Sequence, residues 1–301
     1  MTIRELIGKA SFLLAKLFLV LARIIPVKCS YAICAFAACA GSKLPWKRKK
    51  IALGNLKIVF PEKTEKERMQ IFRESLRNMF KNYFEMAFII NGKYSAEKIS
   101  EVASASGLDH LDKLVKEEQG ALLYSGHFGN FPLMMLWLAI KGYPVATIYK
   151  EAENFPENFF GNIMKRFNLT PLKYVSEASL TVAIIRALKE NKIVMIQNDQ
   201  SHPFGIYVNF FNKSVPSPAG PALLAKRVGV PVVPAYIIRD KSNQHHISVL
   251  PEIALQQEDD LEKYMAINTQ IMIDWIAGIL VEHPTEWLWL HNRWKRAKPN
   301  H

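Results

Sequence analysis

Apolar residues recur along the chain with two different periods. Residues 63 to 90, KTEKERMQIFRESLRNMFKNYFEMAFII, place Met69, Ile71, Phe72, Leu76, Met79, Phe80, Phe84 and Met86 at helical spacing, which predicts one long amphipathic helix. Beyond it, short runs rich in β-branched and aromatic residues alternate with helix-like stretches. The runs are ALLYS (121 to 125), PVATIY (144 to 149), KIVMIQ (192 to 197), PVVPAYII (231 to 238) and HHISVL (245 to 250). Helices are expected at 131 to 141, 157 to 167, 177 to 190, 219 to 228 and 258 to 281. This alternation predicts an α/β fold with a mostly parallel, buried central sheet flanked by helices. No internal repeat or low-complexity linker interrupts it.

The first fifty residues follow neither period. ASFLLAKLFLVLA (10 to 22) and SYAICAFAACAG (30 to 41) are largely apolar, yet each is shorter than the roughly 20 residues of a spanning helix. Lys16, Arg23 and Lys28 interrupt the region, and Pro26 breaks a continuous helix. A bent or interfacial helical membrane anchor is expected over residues 1–50, followed by a single domain over 51–301. A cleaved signal peptide is disfavoured, because no small-residue cleavage site precedes a polar mature chain. After the second run comes KLPWKRKK (43 to 50). Its basic residues either face anionic head groups, at about 1 kcal/mol each, or form a solvated charge run.

Composition narrows the partners. With 301 residues, 50% hydrophobic and 22% charged, the chain builds a sizeable core and is not a disordered tail. Lys and Arg exceed Asp and Glu by 39 to 27, a net charge of +12. The expected partners are therefore anionic: nucleic acid, a phospholipid surface or an acidic carrier protein. The three cysteines, Cys29, Cys34 and Cys39, lie in one apolar stretch without nearby His at metal spacing, and read as reduced. No nucleic-acid recognition motif accompanies the basic clusters, so nucleic acid is the least favoured partner.

Candidate chemistry centres on GHFGNFP, which follows the strand ALLYS. In open α/β sheets ligands bind beyond the carboxyl ends of the strands, which is where His127 falls. Gly126 and Gly129 would let the backbone approach a substrate, and Asn130 can cap the next helix. His127 reads equally as a turn histidine satisfied by backbone bonds. Ser125 has no G-x-S-x-G elbow, and the glycines form neither a Walker loop nor a dinucleotide fingerprint. His245 and His246 would point to opposite faces of a strand, which argues against a shared metal. Asp199 and Gln200, after KIVMIQ, read as a loop cap or as part of the site.

Several segments together carry a resemblance. The apolar N-terminus, NLKIVFPEKTEKER (55 to 68), GHFGNFPL (126 to 133), IQNDQ (196 to 200), YVNFFNKSVPSPAGPALLAKRVGVPVVPAY (207 to 236) and WLWLHNRWK (287 to 295) resemble the lipid A biosynthesis acyltransferases. These are HtrB-like late enzymes of the lysophospholipid acyltransferase superfamily, and the resemblance runs in order over nearly the whole chain. It implies a glycerolipid acyltransferase-like fold at the cytoplasmic face of the cell inner membrane. It further implies transfer of a fatty acyl chain from acyl carrier protein, or acyl-CoA, to a hydroxyl of an anionic glycolipid, with no cofactor or metal. His127 would be the general base, removing the hydroxyl proton as its oxygen attacks the thioester carbonyl.

One position departs from the family pattern. Four residues separate the family's His from a Glu or Asp, and here that position is Pro132. Asp199 is therefore the expected substitute partner for His127, with Glu151 next. Failing both, His127 works unaided or the protein binds lipid without catalysis. Another membrane glycolipid or a lysophospholipid is the alternative acceptor. Lys150 stands where the family often carries Arg and is a candidate anion contact, as well as a plain surface lysine. Arg166 reads chiefly as a helix C-terminal dipole partner. Trp287, Trp289 and Trp294, with Arg293, Lys295, Arg296 and Lys298, either anchor at an interface or simply pack and solvate.

Overall fold

The computed structural model describes residues 3–151 and 155–298, with side chains from residue 13 onward. The side chains of residues 10 to 12, in the first apolar run, thus lie outside the described residues. The chain begins with four helices: α1 (Ile3–Ile24), α2 (Val27–Lys43), α3 (Lys47–Val59) and α4 (Glu65–Ile90). Pro26 separates α1 from α2 in extended backbone, the break expected from its sequence. Thr64 starts α4 as a capping box: its side chain accepts from the Glu67 N–H, and the Glu67 carboxylate accepts from the Thr64 N–H at 2.7 Å.

The α/β part follows. Its first half contains α5 (Ala96–Val102), β1 (Ala103–Ser106), α6 (Asp109–Lys116), β2 (Ala121–Ser125), α7 (Phe131–Ile140), β3 (Val145–Tyr149) and α8 (Phe159–Arg166). Then come β4 (Thr170–Lys173), α9 (Glu177–Lys189), β5 (Ile193–Gln197), a separate hairpin of β6 (Ile206–Asn209) and β7 (Ser214–Ser217), and α10 (Gly220–Val228). β8 (Val232–Arg239), β9 (His245–Val249) and α11 (Leu261–Glu282) close it.

Seven strands form the main sheet in the order β1-β9-β8-β2-β5-β3-β4. Its pairings are parallel except β8 with β9. Side chains alternate between the faces of a strand, and the central strands obey this. Leu122, Tyr124 and Val194 enter a core with Met272 and Ile276 of α11, whereas Leu123 and Met195 enter another with Leu133 and Met134 of α7. Both faces are covered, which is why these strands read as continuous apolar runs.

The expected elements did not include α3, α5, α6, the β6–β7 hairpin, β1 or β4. β1 is Ala-Ser-Ala-Ser and β4 contains Pro171; both are edge strands and need no apolar run. The N-terminal region also differs from expectation. α1 and α2 pack on α4, burying Ala22, Cys34 and Ala38, so they are helices of the folded body and not a separate anchor. Among the described residues, only α11 is long and apolar enough to cross a membrane, and it is a core helix with Tyr264, Met272, Ile273 and Ile276 buried.

Candidate active site

The register of the sheet builds the site. β2 and β5 lie side by side with Ser125 opposite Gln197, and the Asn198 N–H extends the ladder to the Ser125 carbonyl at 2.9 Å. His127 and Asp199 are each two residues beyond that matched pair. They consequently leave the sheet together at its carboxyl edge. The His127 Nδ1 is 2.6 Å from Asp199 Oδ1, and the His127 backbone N–H donates to Oδ2 at 2.9 Å. Trp287 Nε1–H donates to the same Oδ2 at 2.7 Å.

Electrostatics follow from these bonds. Burial alone would raise the Asp199 pKa, but His127 and Trp287 outweigh it and hold the carboxyl at about 2. Burial also opposes a charge on His127; the Asp199 carboxylate outweighs it and raises the imidazole above its ordinary range. With Asp199 ionised, the neutral ring carries its proton on Nδ1 and leaves a lone pair on Nε2. Gln200 Nε2 lies 3.3 Å from that nitrogen, where a substrate hydroxyl would also bond. His291 steadies the Gln200 loop, its Nε2 accepting from the Ser201 N–H at 3.3 Å.

His127 opens into a cavity of about 290 Å³. Leu76, Met79 and Met86 of α4 form one wall, and Phe131 with Pro132 forms another. Pro132 occupies the first turn of α7, where proline is tolerated, and presents an apolar surface at the family's carboxylate position. Phe131 meets the imidazole edge-on, with ring centroids 5.1 Å apart.

The turn itself is held from several sides. Asn130 caps α7, its side-chain oxygen accepting from the Leu133 N–H at 3.3 Å, and its Nδ2 donates to Glu85 at 2.8 Å. The Asn82 amide donates to the Gly129 carbonyl at 2.8 Å, and the Gly129 N–H donates to the Glu286 carbonyl at 2.8 Å. Arg239 joins these supports, donating to both Glu85 oxygens at 2.5 and 2.7 Å and to Asn82 at 2.7 Å. Burial works against the Glu85 charge, but His245 and Arg239 keep its carboxyl well below the usual range. Glu286 behaves oppositely: burial pushes it up to about 7.

The sequence reading did not include Asn82, Glu85, Arg239 or Trp287 as parts of this arrangement, nor Asn78, whose amide donates to the Glu286 carboxylate at 2.6 Å. A usable signal was present. Asn78, Asn82 and Glu85 recur at i, i+4 and i+7, a polar row along one face of an amphipathic helix, and Asn78 and Glu85 are buried among its apolar residues.

Other expected residues fall differently. Neither Gly126 nor Gly129 has room for a side chain, and Gly129 lines the cavity that His127 opens into. A Cβ on Gly126 would meet Phe128 and Asp199, and one on Gly129, at φ +49°, would lie 2.2 Å from the Ile237 carbonyl. Lys150 is exposed, with its amine over the Tyr174 ring at 5.9 Å. Glu151 accepts from the Asn158 N–H at 3.1 Å and pairs with Lys173 at 3.4 Å, so it belongs to another part of the surface. Ser125 is buried, its hydroxyl on the Gly126 carbonyl. Arg166 donates to the Ile89 carbonyl near the end of α4.

His245 is buried on Glu85 while His246 reaches the exposed Asp240, on opposite faces as expected. The rings of Trp287, Trp289 and Trp294 are buried, which selects packing over interfacial exposure. Arg293 is buried with them and donates to the Pro216 carbonyl at 2.9 Å. Among the described residues, no group of three or more His, Cys, Asp or Glu side chains could hold a metal ion.

Comparison with known proteins places the chain in a family. A phosphatidylinositol mannoside acyltransferase of Mycobacterium tuberculosis (strain H37Rv) is 26% identical over 212 residues, covering 68% of this chain and 63% of the relative. The Mycolicibacterium smegmatis protein of the same name is 23% identical, covering 65% and 64%. The chain thus spans less than two thirds of these mycobacterial relatives. The lipid A biosynthesis lauroyltransferase of Escherichia coli K12 is 22% identical over 258 residues, covering 83% of this chain and 79% of the relative. The family model described as bacterial lipid A biosynthesis acyltransferase matches residues 5–296, and the chain belongs to that family.

Proposed function

We propose that the protein is an O-acyltransferase moving a fatty acyl chain from a thioester donor, acyl carrier protein or acyl-CoA, to a hydroxyl of a lipid A-type glycolipid. The observation that carries this reading is the 2.6 Å contact between His127 Nδ1 and Asp199, with the imidazole facing an apolar cavity. Asp199 fixes the tautomer and stabilises the imidazolium that forms as Nε2 takes the hydroxyl proton. The acceptor oxygen attacks the thioester carbonyl, the carbon–sulfur bond breaks, and His127 returns its proton to the departing thiolate. Gln200 marks where the acceptor hydroxyl sits before attack. The ground for a non-catalytic reading was Pro132 alone; a carboxylate from the neighbouring strand takes over the orienting task.

Location belongs to the same proposal. Residues 1–50 act as the membrane-facing part and 51–301 as the catalytic part, at the cytoplasmic face of the inner membrane. α1 supports this because it is apolar on two sides. Ala15, Phe18, Leu19 and Ala22 face inward, while Leu13, Leu17, Val20 and Ile24 are exposed. Such a helix is suited to hydrocarbon and poorly suited to water. Lys47, Arg48 and Lys50, exposed in the first turn of α3, add charge to an already positive helix end and favour anionic head groups.

A phosphatidylinositol mannoside-type acceptor is the second reading, favoured by the names of the mycobacterial relatives. Incubating the purified chain in bilayers with labelled acyl carrier protein or acyl-CoA, against a panel of both acceptor types read by mass spectrometry, tests the proposal. Acylation of a lipid A-type hydroxyl is expected. Acylation confined to the mannoside acceptor selects the second reading, and no transfer to any acceptor contradicts both.

A further inference from the structure

A second cavity, of about 530 Å³, lies among α1, α2, α4 and α8. Phe18 and Leu19 line it from α1, Cys34 and Ala37 from α2, Phe84 and Ala87 from α4. Among the described residues, no side chain lining it is charged. Water gains little in such a space, and an engineered apolar cavity of about 150 Å³ already takes up benzene. Its chemistry therefore selects an apolar occupant.

We propose that this cavity holds a hydrocarbon chain of the lipid acceptor, separate from the place of the donor's acyl chain. The inference rests on the acyl-transfer reading above. Two geometric facts divide the chains. The donor's reacting carbon is the first carbon of its own chain, so that chain must begin beside His127 and occupy the cavity the imidazole touches. The acceptor's reacting hydroxyl also sits at His127, but a head group separates it from its tails, which need an apolar site at a distance.

The second cavity has that position. Tyr83 and Met86 line both cavities, so the two are neighbours across α4 side chains. Its outer walls are α1 and α2, whose opposite faces expose Leu17, Val20, Ile24 and Phe36. An acceptor tail can pass from a bilayer between these helices without crossing water, while the head group stays near the turn carrying His127.

Filling the cavity tests this. Ala37→Trp narrows it from α2 and Ala15→Phe from α1, two independent changes in case one disturbs folding. Transfer by the full chain in bilayers is measured with a chain-bearing acceptor, with the same head group stripped of its chains, and with donors of graded length. The preference for chain-bearing over stripped acceptor should fall about tenfold or more in both variants, with the donor ranking in the parent's order. A shift of the optimum toward shorter donors with acceptor preference intact assigns the cavity to the donor and overturns the proposal. Parent-like behaviour in both respects overturns it as well.

If the parent transfers to no acceptor, the acyl-transfer reading fails on its own. Binding of a pyrene-labelled monoacyl phospholipid then decides the cavity separately. Binding by the parent that Ala37→Trp and Ala15→Phe both weaken by about tenfold supports a lipid-chain site. Equal binding by all three overturns it.

Discussion

Asp199 receives three N–H donors, the His127 ring, the His127 backbone and the Trp287 indole, and each secures a different degree of freedom. The ring bond sets the tautomer, the backbone bond ties the carboxylate to the turn, and the indole stops rotation about the carboxyl. Trp287→Phe removes only the last. Because charge-assisted bonds are worth about 1.5–3 kcal/mol, kcat for acyl transfer should fall roughly tenfold or more, with KM little changed. Steady-state kinetics on both substrates checks this; a change confined to KM would place Trp287 in substrate binding instead. His127 and Asp199 were legible in the sequence because both follow apolar runs that read as parallel strands, whose carboxyl ends lie on one side of the sheet. Trp287 was not, since only the folded chain brings a residue 88 positions away onto Asp199.

At the scale of elements, α4 does two tasks that its sequence blends together. Its apolar positions, among them Phe72 and Leu76, fill the core, while Asn78, Asn82 and Glu85 turn inward to brace the loop bearing His127. The Glu85–Arg239 pair is buried on both sides, with each side chain 2% exposed. Removing one partner strands the other charge, so Glu85→Gln and Arg239→Met should each destabilise the fold by about 3–5 kcal/mol. The double replacement should cost clearly less than the sum. Denaturant midpoints measure this, and additive losses would show that the two residues act independently. The central strands and long helices were readable because burial on both faces writes unbroken apolar runs. β1 and β4 were not, because edge strands are fixed by pairing with a neighbour, which leaves little trace in Ala-Ser or Thr-Pro sequences.

The whole molecule combines a net charge of +12 with apolar outer faces on α1 and α2, and these respond differently to salt. Flotation with anionic vesicles should retain the protein at high salt, whereas Leu17→Glu combined with Val20→Glu should leave only binding that salt reverses. Complete release of the parent by salt alone would contradict the membrane-facing role of α1. The central claim, that a His127–Asp199 dyad performs acyl transfer, is tested most directly by the pH profile of kcat/KM for the parent and Asp199→Asn in bilayers. Catalysis needs the neutral imidazole, and Asp199 raises the His127 pKa, so the parent's activity should climb with pH through an apparent pKa above about 6.5. Asparagine removes the charge that raises it: the acid limb should move to lower pH while the plateau falls by orders of magnitude, up to about 10⁴ if the serine-protease comparison transfers. A variant within a few-fold of the parent, with its acid limb unmoved, would contradict the dyad.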